Sequence, residues 1–130
     1  DPALRGNYFE RSTPQLEVKN LAAAISYFIE KLGFEKEWEA GSPPSFACVF
    51  RDDVFIFLSS QHPLLGRTQI AVNVRDVDAL HKEYKARGAT IFQAPKNQTW
   101  GGRTMVVQDA DGNFLSLATQ LAEPARGLLR

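Results

Sequence analysis

An internal repeat is the sequence feature that most constrains the fold, because two stretches of the chain share one pattern of residue types 56 positions apart. In each copy a short alternating strand leads to an Asn or Asp that can cap a helix, and the helix ends at a glycine. The matched positions are Val18 with Val74, Asn20 with Asp76, Leu21 with Val77, and Phe28 with Tyr84. The repeat therefore predicts two copies of one supersecondary unit.

Each predicted helix is followed by three strand-like runs that turn residues separate. The runs cover residues 34–39, 45–50 and 54–59 in the first copy, and 90–93, 103–108 and 113–119 in the second. Each copy therefore has the order βαβββ. We expect one α+β domain over residues 12–120, in which modules 12–60 and 68–120 form a half-open mixed sheet. Residues 121–130 are expected to form a loosely held C-terminal tail.

Composition and charge exclude several classes of function. The 15 basic and 15 acidic side chains balance to zero net charge and show no basic cluster, which argues against a nucleic-acid partner. The longest apolar runs, such as 54–58, are far shorter than the roughly 20 residues of a membrane-spanning helix, and the first residues show no signal-peptide pattern. Cys48 is the only cysteine, as is typical of a reducing compartment. We expect a cytoplasmic protein that binds neither nucleic acid nor membrane.

The run 54–58 is apolar on both faces, whereas a strand with one solvated face alternates apolar and polar residues. Val54, Ile56 and Leu58 can pack under the helix, which leaves Phe55 and Phe57 pointing away from it. Residues of other strands predicted to point the same way are Phe46, Cys48, Phe50, Phe114, Ser116 and Ala118. We expect two such surfaces to form an aromatic trough, which either closes as ordinary core or encloses a ligand.

The aromatic residues of this trough also predict self-association. A single chain would expose Phe46, Phe55, Phe57 and Phe114 as one apolar patch, larger than monomeric proteins usually tolerate. We predict a homodimer in which the first module of one chain faces the second module of its partner.

Several motifs lie in one order along residues 12–120. They are Val-Lys-Asn-Leu and Ser-Tyr-Phe within 18–28, Lys-Leu-Gly-Phe at 31–34, Val-Arg-Asp-Val-Asp-Ala-Leu at 74–80, and Asp-Ala-Asp-Gly-Asn at 109–113. Together they resemble the vicinal oxygen chelate superfamily, which includes glyoxalase I, extradiol dioxygenases, fosfomycin resistance proteins and bleomycin resistance proteins. The similarity to bleomycin resistance proteins is greatest, through Leu-Gly-Phe at 32–34, Arg-Asp-Asp-Val-Phe-Ile-Phe-Leu-Ser at 51–59 and Trp-Gly-Gly-Arg-Thr-Met at 100–105.

The resemblance also locates the positions at which metal-dependent members hold a divalent ion with His or Glu. These positions fall on Thr13, Gln69 and Ser116, with the fourth on Phe55 or Phe57. None is a strong ligand for such an ion. We therefore expect no metal and no other cofactor.

The resemblance implies a metal-free protein of the bleomycin-resistance type, which gives antibiotic resistance by sequestering a small molecule. We expect a planar, partly apolar compound, cationic or neutral, in a cavity at the dimer interface. The candidate ligand-binding residues are Trp38, Phe46, Phe55, Phe57, Gln69, Trp100, Arg103, Phe114 and Ser116. The aromatic rings would stack on the ligand, and the polar side chains would form hydrogen bonds. Because the family's binders of cationic bleomycin are acidic, the zero net charge argues against bleomycin itself.

The strand 34–39 carries Glu35, Glu37 and Glu39 in alternation, which predicts one face for these three and the other face for Phe34 and Trp38. That acidic face is either simply solvated or supplies negative potential at the mouth of the trough.

Two other functions remain open. A metal-independent isomerase or lyase of this fold needs a carboxylate or a histidine inside the trough. An interaction module would use the paired sheets for assembly alone. His62 and His81 are expected at the surface, and Cys48 is expected to be a buried, unreactive thiol.

Overall fold

Two four-stranded mixed sheets, each covered by one helix, make up the computed structural model, which describes residues 10–61 and 67–121. In chain order the elements are β1 (Gln15–Glu17), α1 (Leu21–Leu32), β2 (Glu35–Gly41), β3 (Pro44–Arg51), β4 (Val54–Ser59), β5 (Gln69–Asn73), α2 (Val77–Arg87), β6 (Thr90–Asn97), β7 (Gly102–Gln108) and β8 (Phe114–Gln120). The predicted α+β class and the repeated βαβββ order are confirmed. We call β1 to β4 with α1 module 1, and β5 to β8 with α2 module 2.

The two sheets have the same topology. Their strand orders are β1-β4-β3-β2 and β5-β8-β7-β6. The first and last strands of each module pair in parallel, with Leu16 opposite Leu58 and Val72 opposite Leu117, and the other pairs are antiparallel. The shared register makes each position in one module comparable with a position in the other.

Helix boundaries follow the predicted caps. The Asn20 side chain accepts a hydrogen bond from the Ala23 amide at 2.9 Å, and the Asp76 side chain accepts one from the Ala79 amide at 3.1 Å. Gly33 and Gly88 both have a φ of 77°, the left-handed conformation that glycine adopts at little cost and that ends each helix.

Strand β6 extends four residues beyond its predicted end at residue 93, and it contains Pro95. It is the outermost strand of its sheet, where a residue without an amide hydrogen loses no ladder hydrogen bond. Strand β2 begins one residue later than predicted and continues to Gly41. Edge strands therefore account for the main differences in element length.

The helix-covered faces of the two modules meet in one apolar cluster, to which Phe28, Leu58, Val107 and Leu115 all belong. The Tyr84 hydroxyl donates a hydrogen bond to the Leu32 carbonyl at 3.0 Å and so ties α2 to the end of α1. Because the modules share a core on their helix sides, the opposite faces of both sheets point away from it. Within the described ranges, no helix is long and apolar enough to span a membrane.

Side-chain hydrogen bonds join the two modules at both ends of this core. Arg51 at the end of β3 donates to both carboxylate oxygens of Glu83 in α2, at 2.8 and 2.9 Å. On the other side, the turn between β7 and β8 reaches module 1, where the Asp111 carboxylate accepts from the Lys19 amide at 2.9 Å. The modules are thus held in one relative orientation.

Candidate ligand-binding site

The sheet faces that point away from the helices carry most of the predicted site, and we call them the trough faces. On module 1 the rings of Trp38, Phe46 and Phe57 form a cluster with centroids 5.2 to 5.7 Å apart. Phe50 and Phe55 stack beside them at 5.5 Å. The predicted aromatic surface is therefore present on one sheet, and these rings are only partly buried.

A β-bulge in β2 shapes this surface. Lys36 lies opposite Val49 and Trp38 lies opposite Cys48, so that Glu37 is an extra residue in the ladder. The Glu37 carboxylate remains on the trough face, where its Oε2 lies 3.6 Å from the Cys48 Sγ that donates to it. The bulge thus places an indole and a carboxylate side by side on one face.

The bulge corrects the predicted faces of this strand. Trp38 does not share a face with Phe34, which is buried in the core beneath α1. Glu39 lies opposite the core residue Ala47 and forms an ion pair with Lys36 at 3.5 Å. Glu39 is therefore on the helix side, and the three glutamates do not form one face.

Module 2 presents polar side chains where module 1 presents rings. The matching positions are Gln93 for Trp38, Thr104 for Phe46, and Ser116 for Phe57. The Gln93 amide donates to the Thr104 carbonyl at 3.4 Å. The Thr104 hydroxyl is buried and has no hydrogen-bond partner within the described part of the chain. Such a group is costly to leave unsatisfied, so this face fits a partner molecule with polar atoms.

Phe92 is a site residue that the sequence analysis missed. Strand β6, like β2, has a β-bulge, in which Phe92 is the extra residue between Ile91 and Gln93. The Phe92 side chain is 64% exposed. Its ring contacts that of Phe114, a predicted site residue, at a centroid distance of 5.0 Å. The repeat offers the only sequence signal, since Phe92 occupies the position that Glu37 has in module 1.

Trp100, a predicted site residue, flanks the trough face of module 2. It is 41% exposed, and its ring lies directly over the backbone of Gly102, where a Cβ atom would collide with it. Gly102 and Thr104 are two residues apart in β7, so they share one face of the strand, and the core residue Met105 lies on the other. The indole therefore covers the end of β7 beside the polar positions.

Arg103 is not brought together with the other predicted residues. It lies opposite Thr119, whose hydroxyl accepts a hydrogen bond from the Val77 amide at the start of α2, so it belongs to the helix side. Its guanidinium donates to the Asp78 carboxylate at 3.0 Å and to the Asn97 side chain at 2.9 Å. Alternation along β7 gives the reason, because Arg103 is two residues from Met105, which is buried in the core on the helix side. Gln69, opposite Phe114, does share the trough face.

The four positions that hold a divalent ion in metal-dependent relatives do not suit one here. When the ladders of the two modules are matched, Phe57 occupies the position that Ser116 has in module 2, so the fourth position falls on Phe57 rather than Phe55. These positions hold the hydroxyls of Thr13 and Ser116, the amide of Gln69 and the ring of Phe57. None of these groups is a carboxylate or an imidazole. Across residues 10–61 and 67–121, no three His, Cys, Asp or Glu side chains are grouped so that they could hold a metal. His81 is half-buried on α2, and His62 lies outside the described residues.

Cys48 has the properties of an unreactive thiol. Burial, together with the hydrogen bond and negative charge of Glu37, raises its pKa to about 11. The thiol is therefore protonated at neutral pH and is a poor nucleophile.

A separate cavity of about 640 Å³ lies on the helix side, between the β3–β4 turn and α2. Its walls include Val54, Val72, Leu80 and Tyr84, and none of the predicted site residues lines it. The predicted site is thus an open surface of the chain, distinct from this cavity.

Paired βαβββ modules that share a helix-side core define the class of fold to which this chain belongs. The chain belongs to the Glyoxalase/Bleomycin resistance protein/Dioxygenase superfamily, whose family model matches residues 12–117. The resemblance inferred from the motifs is therefore confirmed.

The similar proteins include one sequence relative and two solved structures. An uncharacterized protein from Mycolicibacterium smegmatis is 32% identical over 102 residues, which cover 77% of this chain and 84% of the relative. A bleomycin-binding protein, solved in complex with bleomycin, superposes with a TM-score of 0.72 at 22% identity, over 86% of this chain and 99% of the other. A lactoylglutathione lyase from Agrobacterium tumefaciens superposes with a TM-score of 0.71 at 13% identity, over 85% and 94%. These two structures share the fold.

Proposed function

We propose that this protein is a metal-free binding protein that sequesters a planar, partly apolar compound against its trough faces. One observation carries the proposal: of the five large hydrophobic side chains that are exposed in the described chain, three lie on these faces, namely Trp38, Phe92 and Trp100. Exposed aromatic residues collected on one surface are typical of a binding site, whereas scattered ones are not.

The two faces would contribute different interactions to the ligand. The cluster of Trp38, Phe46 and Phe57 offers ring faces for stacking, a contribution of about 0.5–1.5 kcal/mol per pair beyond area burial. Gln69, Ser116 and the unpartnered Thr104 hydroxyl of module 2 would supply directional hydrogen bonds. Arg103 is omitted from the proposed site, because Asp78 and Asn97 already occupy its guanidinium on the helix side.

A second copy of the chain would complete the cavity. Both trough faces point away from the shared core, so that module 1 of one chain can lie over module 2 of its partner. This arrangement would enclose the ligand between the aromatic cluster of module 1 and the polar positions of module 2, beside which Phe92, Phe114 and Trp100 lie. The bleomycin-binding relative supports a small-molecule ligand of this general kind, and we further propose an antibiotic-like compound and a cytoplasmic location.

Ligand-induced stabilisation tests this function. The purified protein is melted with and without a panel of planar aromatic compounds, and hits are titrated by tryptophan fluorescence, because Trp38 and Trp100 both border the site. We expect a raised melting temperature and quenched emission for some members of the panel. Elemental analysis after dialysis should find no stoichiometric divalent metal. A panel without any hit, or one equivalent of tightly held metal, would refute the proposal.

A metal-independent isomerase or lyase is the second candidate, and the position of Glu37 favours it. This function needs a carboxylate within the trough, and the Glu37 carboxylate lies on that face next to the aromatic cluster. Screening for turnover of any compound that binds, with Glu37→Gln as the comparison, distinguishes the two functions. Turnover that this substitution abolishes would replace binding alone as the function.

A further inference from the structure

The charges of module 1 are divided between the two faces of its sheet. Glu17 lies opposite Ser59 and Glu35 opposite Phe50, so both share the trough face with Glu37. The two basic residues of these strands, Lys36 and Arg51, lie on the helix side, where they form ion pairs with Glu39 and Glu83. Within the described strands of module 1, the trough face is therefore acidic, although the whole chain has zero net charge.

The matching surface of module 2 has a different character. Gln93, Thr104 and Ser116 are neutral, and Lys96, opposite Thr104, is the charged residue that the register places on that face of the described strands. In the described strands the acidic side chains of the trough faces therefore all belong to module 1. A ligand that carries one positive charge would be oriented by this difference.

Glu37 is the acidic side chain that the bulge places beside the aromatic cluster. Glu37 precedes Trp38 in the sequence, and the bulge puts both side chains on the same face. The Glu37 Oε2 lies 3.6 Å from the Sγ of Cys48, and Cys48 lies directly opposite Phe57 in the ladder. An indole face and a carboxylate that lie together both attract a cation, the first through its quadrupole and the second through its charge.

We propose that Glu37 is the specificity-determining residue of the site and selects planar aromatic cations over neutral molecules of the same shape. This inference rests on the proposed function, since it assigns the ligand class of the same trough. Module 1 holds the positive charge and stacks on the ring, and the neutral side chains of module 2 bind the uncharged part of the ligand.

A matched pair of probes tests the inference. N-methylquinolinium carries a fixed positive charge, and 2-methylquinoline has the same ring system and is neutral at mildly alkaline pH. Both are titrated by fluorescence or calorimetry against the parent protein, Glu37→Gln and Glu39→Gln. Glu39 is the control, because it lies on the same strand but on the helix side.

We expect the parent to prefer the cation, and Glu37→Gln to weaken cation binding about three- to tenfold without changing the affinity for the neutral probe. Glu39→Gln should change neither affinity. The preference of the parent should also decrease with added salt, which tests the role of charge independently of any variant.

Two results would overturn the inference. If the parent binds both probes but Glu37→Gln affects them equally, or if salt leaves the preference unchanged, charge selection by Glu37 is refuted while binding in the trough stands. If the parent binds neither these probes nor any member of the planar panel, the proposed function fails and the inference fails with it.

Discussion

Glu37 and Cys48 illustrate how one side chain sets the chemistry of its neighbour. The thiol is 2% exposed and donates to the carboxylate, and both burial and the adjacent negative charge disfavour the thiolate. Its pKa of about 11, against an ordinary value of 9.0, means that little thiolate is present even at mildly alkaline pH. The thiol therefore reports on the charge at Glu37.

Replacing Glu37 with Gln should lower the pKa of Cys48, because the substitution removes the negative charge that opposes ionisation. At any pH below the parent pKa, the thiolate fraction and hence the alkylation rate should rise. The pH dependence of the reaction with iodoacetamide measures this shift, and Glu39→Gln should leave the profile unchanged. An identical profile for the Glu37 variant would show that burial alone controls the thiol.

Trp100 should contribute to binding more than to stability. Its ring is 41% exposed and covers the backbone of Gly102, so Trp100→Ala removes little buried area. We expect an affinity loss of roughly tenfold for an aromatic ligand and a small change in melting temperature. Gly102→Ala, which displaces the same ring, should reproduce the affinity loss. Normal binding by a strongly destabilised Trp100→Ala variant would instead identify Trp100 as a packing residue.

At the scale of elements, repeated local signals could be predicted and irregularities could not. Both helices, their caps and the βαβββ order along the chain follow from periodicity and from the repeat. The bulges in β2 and β6 depend on pairing with the next strand, which no local pattern records. Relative to simple alternation they changed the faces of Trp38 and Gln93, and with them the composition of the site. Zero net charge carries no information about faces, whereas the alternation of Glu35, Glu37 and Glu39 did predict an acidic face, from which the bulge removes Glu39.

The turn between β7 and β8 depends on a buried carboxylate. Asp109 accepts hydrogen bonds from the amides of Asp111 and Asn113 and from the Asn113 side chain, at 2.8 to 2.9 Å. Asp109→Ala leaves these donors without acceptors and should lower the free energy of unfolding by about 1–3 kcal/mol. Denaturant unfolding measures the loss. Asp53→Ala, in the exposed β3–β4 turn, is the control and should change stability little; equal losses would contradict the assigned role.

At the scale of the whole molecule, the shared core determines which surfaces remain for binding. The helix sides of both modules are used within the chain, so both trough faces are left outward. Within the described residues, each ring contact on these faces joins two aromatic residues of the same module, and none joins module 1 to module 2. The alternative in which the troughs of one chain close on each other is therefore disfavoured, and closure requires a second molecule.

We predict that the second molecule is another copy of the chain and that Phe92 lies in the interface. Phe92→Glu places a charge at a position whose side chain is 64% exposed, so it should not destabilise the folded monomer. It should oppose burial against a partner and weaken the affinity of the dimer by roughly tenfold or more. Ile29→Glu is the control, because Ile29 is also exposed, at 39%, but lies on α1 away from the trough. Sedimentation velocity should show a dimer for the parent and for Ile29→Glu, and dissociation for Phe92→Glu. A parent that sediments as a stable monomer at micromolar concentration would refute the dimer, and equal dissociation of both variants would place the interface elsewhere.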